Sequence, residues 1–220
     1  MILLLLILIP FVSGIISFLW KNESVKSWAL GTSILSLAVA LYACCADNQA
    51  LLVFDRPWIN SLGARFSLLG NGMSIMLALL TAIVFPVVFL TQQNKSVADP
   101  NRFYGLMLLS QAGLMGVFLA NDLLLFYFFW ELALIPVYFL CSTWGGERRI
   151  PVTFKFFVYT FLGSLLMLSG IIYLYLQTPN RTFDYEAIKQ AAASLSDPQS
   201  PALLGQDVRF CLFFIAFRIK

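Results

Sequence analysis

No histidine occurs anywhere in the 220 residues. That absence removes haem ligation by imidazole, the iron site built from two histidines and a carboxylate, and His-rich zinc sites. Charge is nearly as scarce. Asp, Glu, Lys and Arg make up 11% of the chain while 60% is hydrophobic and the mean hydropathy is +0.84. Soluble domains carry about 25% charged residues, so a water-soluble globular fold does not accommodate this balance. The net charge of +3 is small and scattered, which gives no footprint for nucleic acid. Cysteine is limited to Cys44, Cys45, Cys141 and Cys211, with no C-x-x-C spacing, so neither a zinc site nor an iron–sulfur cluster is expected. Vicinal Cys44 and Cys45 read as small packing residues rather than a redox couple. No G-x-G-x-x-G fingerprint for a nucleotide is present either. Finally, no basic residue precedes the first apolar run. Lys21 comes after it and no A-x-A-like site follows at the right place, so residues 1–20 read as a retained first helix, not a cleaved signal.

What the chain has is long apolar runs. They predict an all-α, polytopic transmembrane helix bundle of six complete spans plus the start of a seventh. The spans are 1–20 with Pro10 near its centre, 28–46, 73–91, one ending near 120, 123–144 and 151–177. Asp122 offers an N-cap for the fifth span, Gly145 and Gly146 end it, and Pro151 opens the sixth in its first turn. Between the second and third spans, the alternation Ala64 to Leu68 predicts an extended strand or hairpin on the membrane surface. Residues 184–193 read as a short surface helix. The run from Val208 to Lys220 is too short for a crossing of about 20 residues, so the chain reads as a fragment that stops inside a helix.

Basic residues set the expected orientation. With the N-terminus outside, the inner side receives Lys21, Lys26, Lys95, Arg102, Arg148, Arg149 and Lys155, and the outer side Arg56, Arg65, Arg181 and Lys189. Seven against four favours that arrangement under the positive-inside rule.

The charges inside apolar runs point to function. Glu131 lies in the middle of the otherwise uncharged run from Leu123 to Cys141. A carboxylate there costs roughly 3 kcal/mol on insertion scales, and such residues are as a rule functional. The plainer reading is a neutralising partner for a basic group in the bundle. Lys220 follows twelve residues of the last helix, 208–219, which at a rise of ~1.5 Å per residue places it near the bilayer midplane. A midplane lysine and a midplane glutamate form, in outline, a proton-handling pair whose members respond to each other's charge. Lys155 sits one turn into its span, where its side chain can snorkel to the interface. Arg218 stays protonated, so it is a charge to be paired or else a sign that the end of the fragment is irregular.

These residues resemble a known family. Phe129-Trp130-Glu131-Leu132-Ala133-Leu134-Ile135-Pro136-Val137-Tyr138 is similar to the fifth helix of the antiporter-like membrane subunits of respiratory complex I, the M type more than the L or N type. Lys155-Phe156-Phe157-Val158-Tyr159-Thr160 and Phe213-Phe214-Ile215-Ala216-Phe217-Arg218-Ile219-Lys220 resemble the sixth and seventh helices of the same subunit. Gly63-Ala64-Arg65-Phe66 and Asn71-Gly72-Met73-Ser74 resemble the stretch before its third. The resemblance covers the whole chain but about half of the family's usual length, with 1–70 as two spans and a surface loop and 71–220 as the start of the first inverted-repeat half.

The resemblance implies a subunit of NADH:quinone oxidoreductase in the cell inner membrane, with a periplasmic N-terminus, that translocates protons and has no redox centre of its own. Glu131 and Lys220 are its implied proton-handling residues. Lys155 and Arg218 are secondary candidates. NADH, FMN, iron–sulfur clusters and quinone are then expected on partner subunits, which include neighbouring antiporter-like subunits. Two departures stand out: Asn71 replaces a usual acid, and Arg218 replaces a small or apolar residue. Three other readings share these residues: a subunit of a multisubunit cation/proton antiporter, a hydrogenase-linked relative, and a non-pumping structural fragment in which Glu131 neutralises a basic neighbour.

Overall fold

The apolar runs fold as α1 (Ile2–Leu19), α2 (Val25–Cys45), α3 (Gly72–Gln92), α4 (Pro100–Leu119), α5 (Leu123–Trp144) and α6 (Arg149–Gln177). Each is long and apolar enough to cross a membrane. The computed structural model describes residues 1–19, 24–46, 49–178, 181–194 and 206–219. Two shorter helices follow, α7 (Tyr185–Ser194) and α8 (Gln206–Ile219), and a two-stranded antiparallel sheet, β1 (Val53–Ile59) with β2 (Ala64–Leu69), joins α2 to α3.

Local chemistry sets the helix boundaries. Asn71 caps α3 by accepting from the Ser74 N–H at 2.8 Å. Asp122 caps α5 by accepting from Leu124 and Leu125 at 2.9 and 3.0 Å. Pro100 opens α4, where its missing N–H leaves no helical bond unmade. α6 starts two residues before the expected Pro151, which still falls in the first turn. Pro10, Pro86 and Pro136 lie inside α1, α3 and α5, as membrane helices tolerate when neighbours re-satisfy the freed carbonyls.

The extended segment expected at 64–68 is realised as a hairpin. Its register pairs Val53 with Leu69 and Arg56 with Phe66, and becomes irregular between Pro57 and Ile59, where proline has no donor for the ladder. Gly63 turns the hairpin at φ +63°, and a Cβ there would lie 2.6 Å from the Arg181 carbonyl oxygen. The hairpin is tied to the α4–α5 turn by Asn121 N–H donating to Ser67 O at 2.9 Å, and the segment before α7 joins them through Leu123 N–H to Phe183 O, also 2.9 Å. At the opposite end, the Trp144 indole donates to Ala98 O at 2.8 Å. Connections thus alternate between two ends of an antiparallel bundle.

Small residues allow the helices to approach. Gly14 of α1 abuts Gly105 of α4, Gly113 and Gly116 of α4 receive Ala133 and Phe129 of α5, and Gly163 and Gly170 of α6 receive Ile219 and Phe213 of α8. The outer faces stay apolar: Leu5, Val12 and Ile15 on α1 and Leu80, Val84 and Val87 on α3 are exposed, as a lipid-facing surface requires. One expectation is corrected here. Cys44 and Cys45 do not pack into the core, because the inner face of α2 is taken by Ala29, Thr32, Ser33, Ser36, Ala40 and Ala43; all four cysteines are exposed and free.

Candidate functional site

α5 turns Leu125, Phe129, Ala133 and Pro136 inward at helical spacing. Glu131 therefore falls off that buried stripe, about 12 Å along the helix from Leu123 at ~1.5 Å per residue. It is not fully exposed either. Glu131 Oε1 is shut off from solvent and has no hydrogen-bond partner among the described residues. The side chain borders a cleft of about 350 Å³ formed with Trp58 and Ile59 of the hairpin and with Leu124, Tyr127 and Ile135 of α5. An unpartnered buried polar atom is rare in a folded protein.

Tyr127 lies one turn before Glu131, close enough to interact with its charge, and its phenol meets the Ser164 hydroxyl of α6. Tyr127, Ser164 and Trp58 were not singled out from the sequence. The i−4 spacing of Tyr127 was a legible signal. Ser164 and Trp58 are more than 30 and 70 residues away and only the fold brings them near.

Asp122 holds this end of α5. It is 1% exposed, and beside the two capping bonds it accepts from the Arg65 backbone N–H at 3.0 Å. One carboxylate thus ties the hairpin to the N-terminus of α5. Burial pushes its pKa above the ordinary carboxylate value, the bonds from Arg65, Leu125 and Leu124 partly offset this, and nearby Asp184 adds to the rise. On the hairpin surface, the Arg65 guanidinium donates to Asp55 at 2.8 Å, and this pairing raises its pKa.

The remaining candidates separate. Tyr138 of α5 meets Phe157 of α6 with ring centroids 5.1 Å apart, and Tyr127 meets Ser164, so Glu131 is level with the residues just before Ser164. Lys155 is exposed and about 10 Å away in depth by the helix rise, so the structure does not bring it to Glu131. Arg218 is exposed and forms no ion pair among the described residues. Lys220 lies outside the described residues. α8 itself packs on α6 and reaches α5, where Phe217 and Trp130 meet edge to face at 5.4 Å.

The chain is similar to proteins of known sequence and structure. Residues 120–220 match the family described as NADH:quinone oxidoreductase/Mrp antiporter, TM. The NADH-quinone oxidoreductase subunit M of Escherichia coli (strain K12) is 35% identical, over 98% of this chain and 45% of that protein. This chain belongs to the antiporter-like membrane subunit family. The F(420)H(2) dehydrogenase subunit M of Methanosarcina mazei is 38% identical over 81% of this chain and 37% of that protein. Among solved structures, respiratory complex I from Thermus thermophilus with bound NADH matches at a TM-score of 0.82 and 28% identity, covering 99% of this chain and 43% of the matched chain. The chain thus spans less than half the length of these relatives. The stretch matched by the family runs from the α4–α5 turn and includes Glu131, Lys155, Arg218 and Lys220. As for the departure at Asn71, its side chain caps α3, a role that Asn and Asp fill equally well.

Proposed function

We propose that this chain is part of a membrane subunit of an NADH:quinone oxidoreductase complex that translocates protons coupled to electron transfer, with Glu131 as its proton-handling carboxylate and Lys220 as the partner. The carrying observation is Glu131 Oε1, buried without a hydrogen-bond partner among the described residues in a helix that crosses the membrane. An ionisable group held this way responds strongly to a neighbouring charge. Unit charges 4 Å apart at an effective dielectric of about 20 interact by about 4 kcal/mol, or roughly three decades in a protonation equilibrium. Bringing a lysine toward Glu131 or withdrawing it therefore drives proton release or uptake. The packing of Ile219 against Gly163, level with Glu131 on α6, supports the choice of Lys220 as that lysine.

In this reading the chain carries no redox centre. NADH, FMN, the iron–sulfur clusters and quinone belong to partner subunits of the complex, and the neighbouring antiporter-like subunits flank it in the cell inner membrane with its N-terminus on the periplasmic side. Oxidoreductase and translocase activity belong to the assembled complex. The relative named F(420)H(2) dehydrogenase subunit M fits the same division of labour, since a subunit without a redox centre is indifferent to the electron donor.

The test is Glu131→Gln in the full-length protein within its complex. Shape and hydrogen bonding are kept while the charge is lost, so pumping and coupled NADH oxidation should fall strongly in a complex that still assembles. Lys220→Ala should behave in the same way. Normal pumping by an assembled Glu131→Gln complex refutes the role and leaves the structural reading, in which Glu131 neutralises a basic neighbour. The family description also covers Mrp antiporters, which gives the second reading. Cation/proton exchange by the purified assembly in the absence of an electron donor would favour it.

A further inference from the structure

The interior of α1–α4 is made of two apolar clusters. One lies toward the hairpin and includes Leu3, Leu6, Ala40, Ala78 and Met115. The other lies toward the opposite end and includes Val25, Phe85, Phe89 and Leu108. Between them the inner faces turn polar. Thr32, Ser33 and Ser36 on α2, Thr81 on α3 and Gln111 on α4 are all buried.

Helix register places these residues in one layer. A Cβ on Gly14 would meet both Gly105 and Leu109, so in the antiparallel α1–α4 pair Gln111 is level with Pro10. Phe89 and Tyr104 have ring centroids 5.6 Å apart, so in the antiparallel α3–α4 pair Gln111 is level with Thr81 and Ala82. On α4, Gln111 shares the face of Leu108 and Met115, whereas Gly113 and Gly116 face α5. The layer is thus separate from the Glu131 cleft.

Gln111 is 0% exposed, and neither Oε1 nor Nε2 has a hydrogen-bond partner among the described residues. The hydroxyls cannot supply what its oxygen needs. Thr32 donates to Trp28 O at 2.9 Å, Ser33 to Leu30 O at 2.8 Å, and Ser36 and Thr81 to Thr32 O and Leu77 O at 3.0 Å. Each hydroxyl proton is held by its own helix, which leaves the oxygens as acceptors only. The layer thus offers acceptor oxygens but no free donor for Gln111 Oε1, and neither amide atom is bonded among the described residues. Pro10 has no N–H for the carbonyl of Leu6, so the helical bond that would engage this acceptor is missing near the same depth.

We propose that Gln111, the Leu6 carbonyl and the hydroxyl oxygens of Ser33, Ser36 and Thr81 form a buried water-binding site at mid-depth of the α1–α4 bundle. A water donates one O–H to Gln111 Oε1 and the other to the Leu6 carbonyl or a layer hydroxyl. That gives it the two to four partners a buried water needs. Ordered water is among the groups that re-satisfy a carbonyl freed by proline inside a membrane helix.

Radiolytic footprinting of the full-length subunit in its assembled complex tests this. Hydroxyl radicals formed from a bound water oxidise adjacent side chains even where bulk solvent has no access, and buried Met115 lies one turn from Gln111. Met115 should be oxidised in the wild type and several-fold less in Gln111→Leu, while exposed Met73 reacts equally in both. An unreactive Met115 in the wild type, or equal reaction in both proteins, overturns the site. Should Gln111→Leu fail to assemble, a water-resolving map of the wild-type complex decides. Density within hydrogen-bond distance of Gln111 Oε1 supports the site, and a dry layer or a protein donor on Oε1 overturns it.

Discussion

Asp122→Ala should be among the most damaging single changes outside the proton-handling residues. The carboxylate is 1% exposed and accepts three backbone N–H groups, from Arg65, Leu124 and Leu125, at 2.9–3.0 Å. Loss of an N-cap costs about 1 kcal/mol, and a buried N–H left without a partner, here that of Arg65, adds about 1–3 kcal/mol. The expected loss is about 2–4 kcal/mol, read as a lowered unfolding midpoint of the full-length protein in detergent. Asp122→Asn keeps Oδ1 for the two capping bonds but places an amide NH2 where Oδ2 accepts from Arg65, so it should recover only the cap, about 1 kcal/mol of the loss. Because burial raises the pKa of Asp122 in the fold, its favourable contribution is complete below the ordinary carboxylate value and is lost as pH rises through the raised one. The wild type should therefore lose stability over that interval relative to Asp122→Asn. An Asp122→Ala midpoint equal to that of Asp122→Asn, or a pH profile shared by wild type and Asp122→Asn, would refute this account.

Other substitutions test how the fold positions Glu131. Gly113→Leu forces a side chain into a gap where even a Cβ would lie 2.8 Å from the Ala133 backbone, so it should cost about 1–3 kcal/mol in an unfolding assay and lower pumping by displacing α5. Asn71→Asp should stay within about 0.5 kcal/mol of wild type, and Asn71→Ala should lose about 1 kcal/mol, if the cap on Ser74 is what this position supplies. Lys155→Ala should leave proton pumping in the assembled complex close to wild type, since the side chain is exposed and well separated in depth from Glu131.

Much of this architecture was legible residue by residue. An apolar run long enough to cross a bilayer, bounded by a capping Asp122 and a terminating Gly145, allows few alternatives, and α5 spans Leu123–Trp144 as expected. A backbone that must satisfy its own hydrogen bonds in lipid forms a helix whatever its neighbours are. The hairpin was half legible. The alternation of 64–68 announced a strand, but its partner, β1, contains Pro57 and shows no such alternation. Cys44 and Cys45 were misjudged because apolarity does not tell which side of a membrane helix faces lipid and which faces protein.

That same ambiguity separates what composition and spacing determine from what only packing decides. The sequence alone determined that Glu131 lies within a membrane span, because position along a helix follows from counting residues. Only the tertiary structure decided that Oε1 lacks a partner among the described residues, that Trp58 and Tyr127 border its cleft, that Lys155 is kept away, and that Gln111 lies in a layer whose hydroxyl protons are already held. Depth is a local, one-dimensional property of the chain. Partnership depends on the rotation and register of helices from distant parts of the chain, set by close contacts such as Gly113 with Ala133 and Gly14 with Gly105.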